Sequence, residues 1–419
     1  MKAKILNIMN YSPAYDLFSN EPRPVINWNT PNGKWVGMWG LDVPDLLAEE
    51  FMKLTNDFEY EVWQPDLHAD KVYKHRFEAG SVRRNFPAKN IRKLFGAKFV
   101  YKIHSEIMLK ELQRESRKVR IILHLNGSPL QYKYFIDDFW HLPIIFDFRG
   151  AIFLPLTRFF SFTRNFPSKL HHVLDHYWLR KNISKVDFII YRNDKNIQQL
   201  REIYTGALQK LTSGCDFSFW RPGDKSTARN RLALPGEKPI FFTASRLAAG
   251  KQIERMIRMF TDLADKYDFL LIVAGHGHKS YEDYLREISL ELLNRDKVRF
   301  VGFLTGEKFR TYYNASDFFI LTSISEGAPV AVMNAFACGV PVISTKIGHT
   351  AELLEQYNCG CLLDTCHFDM WKNEIVAILE GKREVKTLDR EVAKKYYDWP
   401  IVAQKYKNVY EYVAQKYYS

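Results

Sequence analysis

The sequence predicts an α/β protein built from two doubly wound parallel sheets, and three observations carry that prediction. Short apolar runs of strand length alternate with amphipathic segments. The alternation occurs twice, separated by one polar stretch broken by Pro and Gly. At 419 residues the chain exceeds what one ordinary core organises, so two domains are expected.

In the first half, KILNIM (4–9), VRIILHLNG (119–127), PIIFDFRG (143–150) and VDFIIYRN (186–193) read as strands, with PDLLAEEFMKL (44–54) as an amphipathic helix. FWRPGDKSTARNRLALPGEKP (219–239) carries Pro222, Gly223, Pro235 and Gly236 and reads as a linker. The second half is more regular: PIFFTAS (239–245), DFLLIVAG (268–275), VRFVGF (298–303), DFFILTS (317–323) and PVISTK (341–346) each end in small or polar residues. Ligands of open α/β sheets bind beyond the carboxyl ends of the strands, so a site is expected in those loops. Two Rossmann-like domains facing a central cleft are therefore expected.

Composition narrows the class. A hydrophobic fraction of 46% with scattered charge describes a globular protein. HLPIIFDFRGAIFLPL, the most apolar run, is broken by Asp147 and Arg149, so no stretch reads as a membrane span. MKAKILNIMN is too short and polar for a signal peptide, and the five cysteines fit reduced thiols, so a cytoplasmic protein is expected. The net charge of +12 is uneven: residues 71–120 hold 15 basic and 4 acidic side chains, interleaved with Tyr73, Phe77, Phe86, Phe95, Phe99 and Tyr101. That segment fits either a solvated basic face or a surface for phosphate groups.

The turn Ser325-Glu326-Gly327-Ala328-Pro329 follows DFFILTS and leads into a helix expected to start near Val330. Pro329 suits the first turn, and Gly327 allows close backbone approach. The N–H groups and dipole of such a helix start suit an anion such as phosphate. Glu326 beside that anion is placed to accept hydrogen bonds from sugar hydroxyls. Asn334, eight residues on, lies about 800° further round the helix, roughly on the same face.

These residues resemble the E-x7-E region of retaining glycosyltransferases of family 4, which have the GT-B fold. The resemblance extends over 183–419. SRLAAGKQ (245–252) is similar to the family's Arg-Leu-x-x-x-Lys segment, which implies that Arg246 and Lys251 grip a donor diphosphate. LLIVAGHG, VRFVGF, YYNASDFFILTSISEGAPV and FACGVPVISTKIGHTAELL follow in the family's order, after LTSGCDFSFWRP (211–222). YYDWPIVAQKYKNVYEYV resembles terminal helices that cross back onto the first domain. The implied division is 1–218 for an acceptor-binding domain, 219–395 for a nucleotide-sugar-binding domain and 396–419 for the returning helix.

The resemblance implies a catalytic set of Glu326, Arg246 and Lys251. It also implies donor contacts from Gly327, Ala328, Pro329, Val330 and Asn334, with the backbone near Phe303 and Leu304 against the base. Gly37 and Gly40, in GKWVGMWGLD, would face the diphosphate, and Asp147 and Arg149 would lie on the acceptor side. Three positions depart from the pattern: Asn334 replaces the second acid, Ala328 a bulky residue, and Arg149 an active-site histidine. An amide at 334 keeps hydrogen bonding to ribose without its charge.

The implied reaction moves a hexosyl unit from a UDP- or GDP-type nucleotide sugar, with retention and with the leaving diphosphate as base. No cofactor or metal is called for, and the chain contains no D-x-D triplet. The expected acceptor is a saccharide, lipid-linked or part of a cell-surface polysaccharide. Residues 71–120 and 153–181 would meet the anionic inner face of the plasma membrane, making the protein peripheral there. No nucleic-acid motif accompanies the charge. A non-catalytic nucleotide-sugar-binding protein and a sugar-nucleotide epimerase are the alternatives. His172 and His176 have helical spacing but lack the Glu of a zinc motif, and Cys359, Cys361, Cys366 and His367 read as core residues, not a metal site.

Overall fold

The computed structural model describes residues 2–9, 42–66, 69–90, 103–127, 132–148, 177, 180–192, 194, 197–364 and 367–419. The described residues fall into two compact units. One takes in the chain up to Thr212 together with Pro400–Ser419; the other is Ser213–Trp399.

The first unit is organised by an eight-stranded sheet. Its strands are β1 (Ala3–Ile8), β2 (Phe58–Asp66), β3 (Tyr73–Arg76), β4 (Val82–Pro87), β7 (Ile121–Asn126), β8 (Ile144–Asp147), β9 (Phe188–Tyr191) and β10 (Ala207–Lys210), in the order β10-β9-β8-β7-β1-β2-β4-β3. A separate two-stranded ribbon joins β5 (Lys89–Asn90) to β6 (Ile103–His104). Only the β3–β4 pairing within the large sheet is antiparallel. β1 and β7 are buried along their whole length, as strands covered on both faces must be.

Three of these strands, β1, β2 and β4, join in a charged network inside the unit. Arg84 of β4 pairs with Glu61 of β2 at 2.8 Å, and with Glu111 at 3.1 Å and Glu115 at 3.2 Å on the helix Glu106–Ser116. Lys4 joins from β1, 2.8 Å from Glu115. Arg83 is buried and bonds Asp45 and Gln64. The basic segment 71–120 is therefore not one outward face: Arg83 and Arg84 are spent inside, and Phe86 is buried in the core. Lys71, Lys74 and Arg76 around β3, and Lys110 and Arg114 on the helix, remain exposed.

Asp45, in the first turn of the helix Asp42–Leu54, is buried, and its Oδ1 has no hydrogen-bond partner among the described residues. Burial, with Glu49 nearby, pushes its carboxyl from 3.8 up to about 6 against the pull of Arg83. A raised folded pKa means the folded state holds the proton longer than the unfolded chain. Its contribution to stability is thus full below about 3.8 and is lost as pH rises through about 6. Asp45→Asn removes that titration. The unfolding free energy of the parent relative to the variant should fall by about 2–3 kcal/mol from pH 4 to 7 in urea titrations. A flat difference across that window would contradict the assignment.

The second unit is organised by six parallel strands: β11 (Ile240–Ala244), β12 (Leu270–Ala274), β13 (Val298–Gly302), β14 (Phe318–Leu321), β15 (Val342–Thr345) and β16 (Cys361–Leu363). Their order is β13-β12-β11-β14-β15-β16, so the direction of winding reverses between β11 and β14. One face packs Phe242, Tyr313, Phe319 and Phe336, and the other Phe241, Phe260, Ile320 and Trp371.

The stretch 219–239 is not a linker. It folds into the second unit as a short helix, Lys225–Arg231, capped by the Asp224 side chain on Thr227 N–H. Arg229 is buried and bonds the Ala315 carbonyl at 3.0 Å and the Asp317 carboxylate at 2.6 Å. Its Pro and Gly mark the turns on either side of that helix. The cysteines Cys215, Cys338, Cys359 and Cys361 are free thiols, three of them buried. Among the described residues no group of His, Cys, Asp or Glu is arranged to hold a metal, and no helix is long and apolar enough to cross a membrane.

Candidate active site at the switch point of the second sheet

The winding reverses between β11 and β14, and the carboxyl edge at such a reversal is the place where open α/β sheets bind ligands. The chain after β11 makes a short turn, Ala249–Lys251, and Gln252 then adopts a left-handed conformation with φ 52°. A non-glycine residue is held there at a cost of about 1 kcal/mol, so other contacts must fix it. Thr322, one residue beyond β14, does so: its hydroxyl donates to the Lys251 carbonyl at 2.8 Å. Ile324 N–H also donates to the Gly250 carbonyl at 3.0 Å. The two loops flanking the switch point are thus tied backbone to backbone.

That tie brings Lys251 and Glu326 together as an ion pair on Glu326 Oε1. Ser323, buried, donates its hydroxyl to the same oxygen at 2.8 Å. Thr345, at the end of β15, donates in turn to the Ser323 carbonyl at 2.7 Å. The Lys251 and Glu326 side chains are 23% and 16% exposed, so their attraction is screened less than that of a surface pair while both tips remain reachable.

Around this pair the other predicted residues fall as follows. Arg246 is exposed just after β11, and its guanidinium makes no ion pair among the described residues. Gly327 is buried, and its carbonyl accepts from His349 N–H at 3.0 Å. Pro329 precedes the helix Val330–Ala337, whose start Ala328 and Val330 line. Phe303 follows β13 with its ring stacked on His276, centroids 6.4 Å apart, and Leu304 is buried in the core. Gly277 N–H donates to Glu282 Oε1 at 2.5 Å, holding the His276 loop.

Two predicted positions sit differently from expectation. Asn334 is buried, with its Oδ1 accepting from Cys215 Sγ at 3.3 Å inside the domain. Asp147 is fully buried in the first unit. Its Oδ2 takes Arg192 and the Tyr406 hydroxyl, the latter at 3.1 Å, which makes it an anchor for the helix Trp399–Tyr418 and not an acceptor contact. Gly37, Gly40, Arg149, His172, His176 and Cys366 lie outside the described residues.

Sequence reasoning missed Ser323, Thr322, Thr345 and Gly348. The hydroxyls end apolar runs, which is visible, but their bridging depends on the β14–β15 register, Leu321 opposite Ser344. Gly348 has φ 60°, and a Cβ there would come within 2.7 Å of the Glu326 and Gly327 carbonyls. It is the glycine that lets the chain after β15 close against the Glu326 turn.

A mostly parallel sheet in the first unit and an all-parallel sheet in the second, with a cation–carboxylate pair at the latter's switch point, fit the GT-B fold. Sucrose-phosphate synthase from Thermosynechococcus elongatus has this fold: it aligns with a TM-score of 0.74 at 15% identity, over 99% of this chain and 100% of that one. Residues 224–396 match the family profile described as Glycosyl transferases group 1. An uncharacterized glycosyltransferase of Methanocaldococcus jannaschii is 27% identical over 192 residues, 45% of this chain and 48% of that protein. A GDP-mannose-dependent monoacylated alpha-(1-6)-phosphatidylinositol monomannoside mannosyltransferase of Corynebacterium glutamicum is 24% identical over 247 residues, 55% of this chain and 64% of that protein. The chain spans about half the length of the first curated relatives it matches.

Proposed function

We propose that the protein is a retaining glycosyltransferase that moves a hexosyl unit from a UDP- or GDP-type nucleotide sugar to a saccharide acceptor. The observation that carries this reading is the Lys251–Glu326 pair held across the switch point by Thr322 and Ser323. As the glycosidic bond to the donor breaks, negative charge grows on the leaving diphosphate and positive charge on the anomeric carbon. Lys251, Arg246 and the N–H groups at the start of the helix Val330–Ala337 answer the first without requiring a metal. Glu326 accepts from hydroxyls of the transferred sugar. The departing phosphate takes the acceptor hydroxyl proton on the same face, so no protein nucleophile is needed. In this reading the second unit binds the donor and the first the acceptor.

The acceptor we favour is lipid-linked, met at an anionic membrane surface. Exposed Lys71, Val72, Tyr73, Lys74 and Arg76 at the β3 edge support this, cations and apolar groups being interleaved as such a surface requires. The phosphatidylinositol-mannoside relative offers a parallel.

A thermal-shift screen of nucleotide sugars and nucleoside diphosphates tests the donor. A stabilising donor whose effect disappears in Lys251→Ala supports the reading, and the absence of any nucleotide shift removes it. Flotation with vesicles of anionic lipid tests the surface, and equal recovery with neutral vesicles would remove the membrane part.

A further inference from the structure

The helix Glu106–Ser116 sorts its charges by side. Glu111 and Glu115 turn inward to Arg84, at 3.1 and 3.2 Å, and Glu115 also reaches Lys4 at 2.8 Å. Met108 and Leu112 complete the buried side. At about 100° per residue, Ile107, Lys110, Arg114 and the capping Arg117 fall within about 80° of arc on the opposite side. All four are exposed, whereas of the helix's three acids only Glu106 is. Arg114 pairs with Glu111 at 2.5 Å, but that carboxylate is shared with Arg84, so the outward face keeps its positive charge.

The neighbouring edge strand continues this face. In the antiparallel pairing of β3 with β4, Lys74 stands opposite Arg84. Cross-strand partners share a face of the sheet, so Lys74 and, two residues on, Arg76 lie on the side where Arg84 meets the helix. Both are exposed.

We propose that the helix Glu106–Ser116 is the main membrane-docking element of the first unit, laying Lys110, Arg114 and Arg117 against anionic lipid headgroups with Ile107 entering the interface. This rests on the membrane reading above, to which it adds the element that carries most of the contact. The cations reach headgroup phosphates while their alkyl stems cover apolar surface. Ile107, 48% exposed, and Val72 at the β3 edge leave water only where an apolar layer receives them. A nucleic-acid backbone offers the cations the same phosphates but gives those two side chains nothing apolar to enter. The inward acids take part as well, since Arg84 and Lys4 hold Glu111 and Glu115 away from an anionic surface that would repel them.

The test is flotation with vesicles of phosphatidylcholine, with and without anionic phosphatidylglycerol. The proteins are the parent, the triple variant Lys110→Gln, Arg114→Gln and Arg117→Gln, and a control triple, Lys266→Gln, Lys279→Gln and Lys395→Gln, at exposed positions of the second unit. Both triples remove the same net charge. Each cation near an anionic surface contributes about fivefold in partitioning, so the helix triple should lose about 100-fold on anionic vesicles and the control less than about threefold. A charge-keeping triple, Lys110→Arg, Arg114→Lys and Arg117→Lys, should float as the parent does. If the parent prefers anionic vesicles but the helix triple floats equally well, or the control triple falls as far, the inference is overturned and the membrane reading stands. If the parent shows no preference for anionic vesicles, both fall; a labelled oligonucleotide retained by the parent and released by the helix triple would then mark the face as a nucleic-acid surface.

Discussion

Lys251→Ala should lower kcat/KM for the nucleotide-sugar donor by about 10²–10³-fold, the scale expected when one preorganised charge aimed at a developing anion is removed. The side chain is held where the chain turns at the end of β11, and no second lysine shares that turn. Its removal has two consequences of the same sign. The leaving diphosphate loses a cation at the switch point, and Glu326 loses the ion pair that partly offsets its charge there. Lys251→Arg restores charge but not the compact ammonium, so it should recover part of the loss. Steady-state kinetics against donor concentration decide the matter; a fall below about threefold in Lys251→Ala would mean that the charge acts elsewhere.

The largest effect on stability is expected far from that site, at Asp147. Arg192 is buried, and although burial works against its charge, Asp147 and Tyr406 outweigh that and raise its pKa above the ordinary value. Asp147→Ala leaves the guanidinium with the Leu211 carbonyl, at 3.1 Å, and the Tyr406 hydroxyl, at 3.0 Å. Breaking a buried pair in this way costs about 3–5 kcal/mol. From Asp147 the network continues through His124, whose Nδ1 lies 2.7 Å from the Tyr410 hydroxyl, to Tyr60 at 2.9 Å and on to Asn7. The loss should therefore extend to the helix Trp399–Tyr418, read as faster amide hydrogen exchange there. Replacing both partners, Asp147→Leu with Arg192→Met, should cost less than Asp147→Ala alone. An unfolding free energy for Asp147→Ala within 1 kcal/mol of the parent would contradict the role given to this carboxylate.

The sequence made these two regions unequally legible. In the second unit, strands such as DFLLIVAG and DFFILTS are uninterrupted apolar runs, because both faces of the sheet are covered, and the motif residues Arg246, Lys251 and Glu326 stand in loops at their ends. In the first unit β2 and β4 were not recognised. FEYEVWQPD and VRRNFP look like surface segments because Glu61, Arg83 and Arg84 carry charges that the fold neutralises internally, with partners remote in sequence. The same charges gave the impression of a continuous basic face. Asp147 misled for a related reason: a carboxylate at a strand end invites a ligand, and only the returning helix, with Tyr406 donating to Oδ2, shows that this oxygen is already engaged. Ser323 and Gly348 matter through neighbours brought close by the sheet, which linear spacing does not reveal.

The return of Pro400–Ser419 to the first unit bears on how the chain is made. A ribosome delivers β1 to β10 first, but Tyr406 and Tyr410, which complete their hydrogen-bond network, emerge only after all of Ser213–Trp399 has been synthesised. At about 5–20 residues per second that interval is roughly 10–40 s. Throughout it the nascent first unit carries Asp147, Arg192 and His124 without Tyr406 and Tyr410, while by its end the second unit has every strand of its sheet. The order of assembly thus runs opposite to the order of translation: the half made second is complete first, and the half made first waits for Pro400–Ser419.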